Sequence, residues 1–146
     1  MKIESHERRL AESIDIIDES LEIGLEKRQG NIGFNASAAA MDMLEILLHG
    51  ANKIASGFVI KHEWFNSKRK IDDKIGFDFP RKQEIVRLIS MIESKRNKLC
   101  YGTPRSADEI RVVNRCVQQA QARIPKGRSG NWLAMRLLLL LLFCLI

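Results

Sequence analysis

The residue of this sequence best suited to chemistry is an arginine on an otherwise apolar helical face. In the stretch IESKRNKLCYG, residues 92–102, Arg96 falls in the middle of that face. At 100° per residue its other members gather within about 60° of one direction, and they are Leu88, Ile89, Ile92 and Leu99. A guanidinium can hold a phosphate through paired hydrogen bonds. The position equally fits an arginine whose stem covers apolar surface, or one that pairs with Glu93 one turn away.

A polar stripe along the second predicted helix is another candidate for chemistry. Its members, at spacings of three and four, are Asp42, Glu45, His49 and Asn52. Such a stripe suits a metal site, a buried polar network or a solvated face. The spacing is Glu-x-x-x-His, whereas di-iron bundles use Glu-x-x-His. Since no second helix offers a matching set, the sequence predicts a solvated face, with no metal and no cofactor.

Basic residues supply the remaining candidates for contact with a phosphate. Lys95 and Lys98 flank Arg96, and the stretch SKRK contributes Lys68, Arg69 and Lys70. We predict these five residues and Arg96 as a nucleic-acid-binding set. The acids Asp72 and Asp73 follow SKRK closely, so an ordinary exposed turn also fits it. Motifs such as a Gly-rich phosphate loop, GxSxG or HExxH are missing.

Composition limits the protein to one small helical domain. The chain has 146 residues, of which 45% are hydrophobic and 29% charged, with only 9 Gly and 3 Pro. This balance favours helices and argues against disorder. The net charge of +6 is uneven, because residues 1–60 sum to −4 and residues 61–146 to +10. A basic half suits an acidic partner, or the chain's own acidic first helix.

Cysteine spacing and the amino-terminal residues predict a cytoplasmic protein. The 3 cysteines, Cys100, Cys116 and Cys144, are far apart and have no metal-ligand spacing. Reduced thiols are the expected state. The first ten residues, MKIESHERRL, are polar and do not resemble a signal peptide.

Apolar periodicity predicts an up-and-down bundle of four to five helices. Predicted helices run from about Ser5 to Arg28, over residues 34–55 and 60–75, from Arg81 to Tyr101, and from Ser106 to Ile124. Gly30 and Gly33 are expected to break the chain between the first two. The second helix, rich in small residues, is expected at the centre. Ser106 and Glu109 form a capping-box pattern at the start of the fifth.

The carboxyl-terminal segment differs from the rest of the chain. After Glu109 there is no acidic residue, and Leu137–Ile146 is an uninterrupted apolar run. This run is far shorter than the roughly 20 residues that span a bilayer. Three interpretations remain open for residues 125–146: a packed terminal helix, a membrane-peripheral anchor, or a segment that is not native, such as a frameshift product. We therefore divide the chain into a helical domain, 1–124, and a tail, 125–146.

The helical domain resembles the HEPN superfamily of small helical bundles, which are widespread in prokaryotic toxin-antitoxin and defence systems. The resemblance spans residues 8–124. It rests on the order of the helices, on the small-residue second helix NASAAAMDMLEILL, and on KRNKLCYG at the end of the fourth. It implies a HEPN-like fold and a homodimer in which Arg96 of both chains faces a shared cleft. It also implies RNA or a nucleotide as ligand, or a nucleotidyltransferase partner.

The resemblance further implies a catalytic motif that this chain matches only in part. Active members of the family carry an arginine, often followed by asparagine, and a histidine about five residues on, with which they cut RNA without a metal. Arg96 and Asn97 match the first half, but position 101 is Tyr101. A phenol is protonated at neutral pH and is a poor base. Arg96, Asn97 and Tyr101 are thus the catalytic candidates of a degenerate site.

Two classes of function follow. The preferred one is a non-catalytic module that binds RNA, a nucleotide or a partner, and the alternative is a metal-independent endoribonuclease. A nuclease would need another proton-transfer group, and among His6, His49 and His62 the best candidate is His62 in the stretch KHEW. An ordinary surface histidine also fits that position. A third alternative, a membrane-peripheral protein, depends on the tail alone.

Overall fold

The protein folds as an all-α bundle. A computed structural model describes residues 2–124, and within that range the chain forms helices and no strand. The five α-helices are α1 (Ile3–Ile23), α2 (Gln29–Gly50), α3 (Lys68–Ile75), α4 (Lys82–Tyr101) and α5 (Ala107–Arg123), and a 3₁₀ turn spans His62–Asn66. The predicted fold class is therefore confirmed.

Helix α2 is the central element, as its small residues predict. It packs against α1, α4 and α5. Ala36, Ala39 and Ala40 are fully buried, and their small side chains let neighbouring helices approach closely. Branched and long apolar side chains fill the space around them, among them Ile17, Leu44, Leu88 and Ile110. This core holds α2 and α4, which carry most of the candidate site, in fixed relative positions.

The first two helices meet at a different point from the one predicted. Helix α1 ends at Ile23 because Gly24 adopts φ +132°, a conformation that glycine tolerates best. Gly30 and Gly33, predicted as breakers, lie inside α2. A Cβ atom at Gly33 would lie only 2.7 Å from Cβ of Leu99. The role of Gly33 is thus close packing against α4, and the prediction of a break there is wrong.

The middle of the chain is less helical than predicted. Helix α2 ends at Gly50, and the predicted helix over residues 60–75 is divided into the 3₁₀ turn and α3. The two pieces turn Phe65, Ile71 and Ile75 inward, where all three are buried. Burial of these three apolar side chains, rather than one continuous helical face, therefore holds this segment against the core.

Each end of the last two helices lies within one residue of its predicted position. The amide of Gly102 bonds to the carbonyl of Lys98 at 3.1 Å where α4 ends. Ser106 Oγ accepts the Glu109 amide at 3.4 Å, as the capping pattern predicts. None of the helices within residues 2–124 is long and apolar enough to cross a membrane. The three interpretations of residues 125–146 concern a segment outside the described residues.

Candidate functional site

Arg96 lies at the edge of the core and is half-buried. Its guanidinium donates from Nη1 to Asn97 Oδ1 at 3.1 Å, and its Cζ lies 5.9 Å from the ring centre of Phe34 on α2. Phe34 is 55% exposed, unusually open for a large aromatic residue. The stem of Arg96 thus reaches out of the apolar face, and its head lies beside an exposed aromatic ring.

Glu93 lies one turn before Arg96 and is almost fully buried, with 4% of its surface exposed. Its Oε1 accepts the Ser37 hydroxyl at 2.6 Å. Burial raises the pKa of the Glu93 carboxyl above its usual range, and the Ser37 hydrogen bond and the charges of His62 and Arg96 oppose that rise. Glu93 and Arg96 therefore interact electrostatically. No carboxylate within residues 2–124 forms a contact ion pair with Arg96.

His62 opens the 3₁₀ turn and lies against the same buried carboxylate. Its Nδ1 is 3.4 Å from Glu93 Oε2, and its side chain is 39% exposed. The contact has the distance of an ion pair but lacks the alignment of a hydrogen bond, so Nδ1 has no hydrogen-bond partner within the described chain. Folding therefore brings the best histidine candidate against Glu93, which lies one helical turn before Arg96. The sequence alone indicates Glu93 only as a possible partner of Arg96.

Tyr101 does not join this group. It is 78% exposed in the last turn of α4, and five residues of helix turn it about 140° away from Arg96. Asn97 and Lys98 are also exposed, and Lys95 is half-buried. Of the three predicted catalytic candidates, only Asn97 contacts Arg96 through its side chain.

The basic stretch on α3 lies apart from Arg96. Lys68, Arg69 and Lys70 are exposed, and Arg69 pairs loosely with Asp73 at 3.9 Å. Lys68 lines a groove of about 700 Å³ between α3 and the first half of α4. Arg96 is outside this groove, more than one turn beyond its last lining residue on α4, Ser90. The predicted nucleic-acid-binding set is therefore two separate groups.

The cysteines within residues 2–124 are free and not activated. Cys100 is half-buried near Arg96, and its Sγ donates weakly to the Gly30 carbonyl at 3.8 Å. Burial raises the thiol pKa of Cys100 against the opposing charge of Arg96, and burial likewise raises that of Cys116. Both are therefore neutral thiols near pH 7 rather than nucleophiles.

A second polar cluster lies between α1 and α2, and it overturns the prediction of a solvated stripe. Asp42 is 1% exposed and Glu45 is 5% exposed. The matching side chain from a second helix is His6 on α1, with Nδ1 2.8 Å from Asp42 Oδ1 and Nε2 2.8 Å from Glu45 Oε2. The signal in the sequence was the position of His6, one turn before Leu10 on the apolar stripe of α1.

Further side chains surround this cluster. Arg9 Nη2 lies 3.2 Å from Asp42 Oδ1, and the Ile60 amide donates to Glu45 Oε1 at 2.7 Å. The His49 ring centre is 5.7 Å from that of His6. Burial raises the pKa of Asp42, and burial together with the charge of His6 lowers the pKa of His49. Ligand atoms of His6, Asp42 and Glu45 lie within 4.8 Å of one another, close enough to hold a metal ion.

The comparisons with known proteins give no family. No family model, no curated protein and no solved structure matches this chain. A functional interpretation therefore depends on the residues themselves and on their geometry.

Proposed function

We propose that this chain is a HEPN-like bundle that binds RNA at Arg96 without cutting it. The order of the helices, the small-residue second helix and the Arg96-Asn97 pair support the family assignment. The proposed ligand is a single-stranded segment. Its phosphate contacts Arg96, and one of its bases stacks on Phe34.

The observation that carries this proposal is the pairing of Arg96 with an exposed aromatic ring. A guanidinium that no carboxylate contacts can pair with an anionic ligand, and Arg is the side chain whose donors match a phosphate. An exposed ring accepts any base by stacking, the usual means of binding single strands without sequence preference. Phe34 and Arg96 offer both features within 5.9 Å of each other.

The surrounding charges favour the same ligand. Lys95 and Lys98 flank Arg96 on α4, and residues 61–146 carry a net charge of +10. Cations that neutralise phosphates release counterions, so the affinity is expected to fall steeply with added salt. The homodimer with Arg96 of both chains at a shared cleft is proposed from the resemblance. A nucleotidyltransferase partner is proposed from the resemblance alone.

One observation favours a second candidate, a metal-independent endoribonuclease. His62 is partly exposed, and its Nδ1 lies 3.4 Å from Oε2 of Glu93. Glu93 lies one helical turn before Arg96 on α4. A histidine held by a carboxylate is a common proton-transfer group, and an adjacent arginine can stabilise the charge that develops on a phosphate. In this candidate His62 performs the step for which Tyr101 is unsuited.

The test is binding and cleavage of a labelled pool of single-stranded and structured RNA by the full chain. We expect Arg96→Ala to weaken retention of single-stranded RNA at least tenfold. Arg87→Ala is the matched control, because it removes the same charge from an exposed position of α4 about 14 Å away along the helix axis. Circular dichroism confirms that each variant remains helical.

Each result decides between the proposals. The binding module is supported if Arg96→Ala loses retention of RNA, Arg87→Ala keeps it, and no protein cuts the RNA. Cleavage that disappears in both Arg96→Ala and His62→Gln supports the nuclease. If RNA is neither retained nor cut by the wild-type chain, or if Arg87→Ala and Arg96→Ala weaken retention equally, RNA binding at Arg96 is rejected.

A further inference from the structure

The polar cluster between α1 and α2 contains enclosed atoms with no hydrogen-bond partner. Within residues 2–124 these are His6 Nε2, Asp42 Oδ2 and His49 Nε2. The side chains of His6 and Asp42 are each 1% exposed. Buried polar atoms without partners are rare because each loses its water without compensation. Three of them in one cluster require an explanation that the RNA site does not supply.

The contact between His6 and Glu45 is the most informative of the cluster. Nε2 and Oε2 are 2.8 Å apart, yet they lack the alignment of a hydrogen bond. His6 Nδ1 and Asp42 Oδ1 are hydrogen-bonded at 2.8 Å, and an ionised Asp42 can only accept the Nδ1 proton in this bond. In a neutral imidazole this leaves a lone pair on Nε2, which points beside the carboxylate oxygen rather than at it. Two acceptors this close repel each other unless a cation lies between them.

We propose that the cluster binds one divalent transition-metal ion of the Zn²⁺ type. The ligands are His6 Nε2, Glu45 Oε2 and His49 Nε2, and Asp42 positions His6 through Nδ1. His6 and Glu45 belong to the group whose ligand atoms already lie within 4.8 Å of one another, and the half-buried His49 joins them by rotation of its side chain. Two imidazoles and one carboxylate match the preference of Zn²⁺ and Co²⁺ over Mg²⁺ and Ca²⁺. The remaining coordination position is left for water.

The distances fit a shared ion. Ligands at about 2.1 Å from a tetrahedral ion lie about 3.4 Å apart, so Nε2 and Oε2, which are 2.8 Å apart, need to separate only slightly to admit an ion. Two imidazoles on one tetrahedral ion have ring centres about 5 Å apart, and those of His6 and His49 are 5.7 Å apart. Glu45 and His49 are four residues apart on α2, which puts both on one face.

The outer contacts fit a metal site as well. A ligating histidine commonly donates its other ring nitrogen to a carboxylate, which fixes its orientation. Asp42 does this for His6, while Arg9 holds Asp42 at 3.2 Å. The Ile60 amide fixes Glu45 through its other oxygen. His49 is half-buried and the side chain of Arg9 is 45% exposed, so an ion can enter from this side.

The test is a Co²⁺ titration of the full chain after removal of metals with a chelator, followed by competition with Zn²⁺. We expect one Co²⁺ per chain, with visible absorption typical of nitrogen and oxygen ligands. We also expect the melting temperature to rise when Zn²⁺ is added. His6→Gln and His49→Gln are each expected to weaken binding more than tenfold. Asp42→Asn should weaken it less, because the amide oxygen still accepts the His6 proton.

The control is His62→Gln, the same substitution at the histidine outside the cluster, which should bind Co²⁺ as the wild type does. His49→Gln keeps the test decisive if His6→Gln unfolds, because His49 is only half-buried. The proposal fails if the folded wild-type chain binds no stoichiometric metal. It also fails if His49→Gln binds as tightly as the wild type, or if the spectrum shows cobalt-thiolate absorption from the cysteines.

Discussion

Gly33 of α2 faces Leu99 of α4 so closely that no side chain fits between them. A Cβ atom at position 33 would lie 2.7 Å from Cβ of Leu99 and 3.3 Å from Sγ of Cys100. Because Cβ is fixed to the backbone, Leu99 cannot yield by changing its rotamer. This contact sets the distance between the two helices that carry Phe34 and Arg96.

Gly33→Ala is therefore expected to destabilise the fold. Overpacking of this kind costs about 1–3 kcal/mol, while alanine gains up to about 1 kcal/mol over glycine in a helix. The net loss should be roughly 0–2 kcal/mol relative to the wild type and about 1–3 kcal/mol relative to Gly30→Ala, in which the helix-propensity gain is the same; urea denaturation measures both. Gly30→Ala is the matched control, since its Cβ would meet nothing closer than the Leu99 carbonyl oxygen at 3.9 Å. The packing argument fails if Gly33→Ala proves as stable as Gly30→Ala.

Local signals predicted much of the fold, and contacts between distant segments decided the rest. The α4 boundary at Tyr101 and the α5 cap at Ser106 follow from nearby residues, and both predictions agree with the structure. The sequence wrongly predicts Gly33 as a breaker because its packing partner, Leu99, is far away in the sequence. Propensity alone favours a break at such a glycine, and tertiary packing overrides it.

The candidate sites were predictable only in part for the same reason. Arg96 stood out because it interrupts a regular apolar face. His62 and Glu93 approach each other through folding, which no spacing rule anticipates. The spacing of the stripe that contains Asp42 predicts a solvated face because its partner His6 belongs to another helix. A polar residue on the apolar stripe of one helix is a reason to look for complementary polar residues on another.

The wild-type protein is expected to lose stability as the pH rises, and Glu93→Gln is expected to lack that loss. Burial raises the pKa of Glu93 above its ordinary value of 4.5, so the folded state keeps this proton to higher pH than the unfolded chain. Its contribution to stability is present below pH 4.5 and is lost as the pH rises through the folded pKa. Denaturation of the wild type and the variant from pH 4 to 8 measures this. Parallel curves for the two proteins would show that Glu93 does not titrate as its burial implies.

The wild-type protein is also expected to lose stability as the pH falls, and Glu84→Gln is expected to reduce that loss. Arg123 Nε donates to Glu84 Oε1 at 2.6 Å across α4 and α5, and this hydrogen bond lowers the pKa of Glu84 below its ordinary 4.5. The stabilisation is present above pH 4.5 and is lost as the pH falls through the folded pKa. The variant should therefore lose less stability than the wild type between pH 5 and 3. The contact contributes nothing if the two proteins show the same acid transition.

Phe34→Leu is expected to weaken binding of single-stranded RNA while the chain stays folded. Phe34 is 55% exposed, so leucine costs little stability, whereas a lost base stack removes about 1–3 kcal/mol of binding. Tyr101→Leu is the matched control, because it removes an exposed aromatic ring from the far side of α4. Retardation of labelled oligonucleotides at two salt concentrations measures both variants. If Tyr101→Leu weakens binding and Phe34→Leu does not, the bases stack at the end of α4. The site at Arg96 then lacks the aromatic surface on which its proposed function depends.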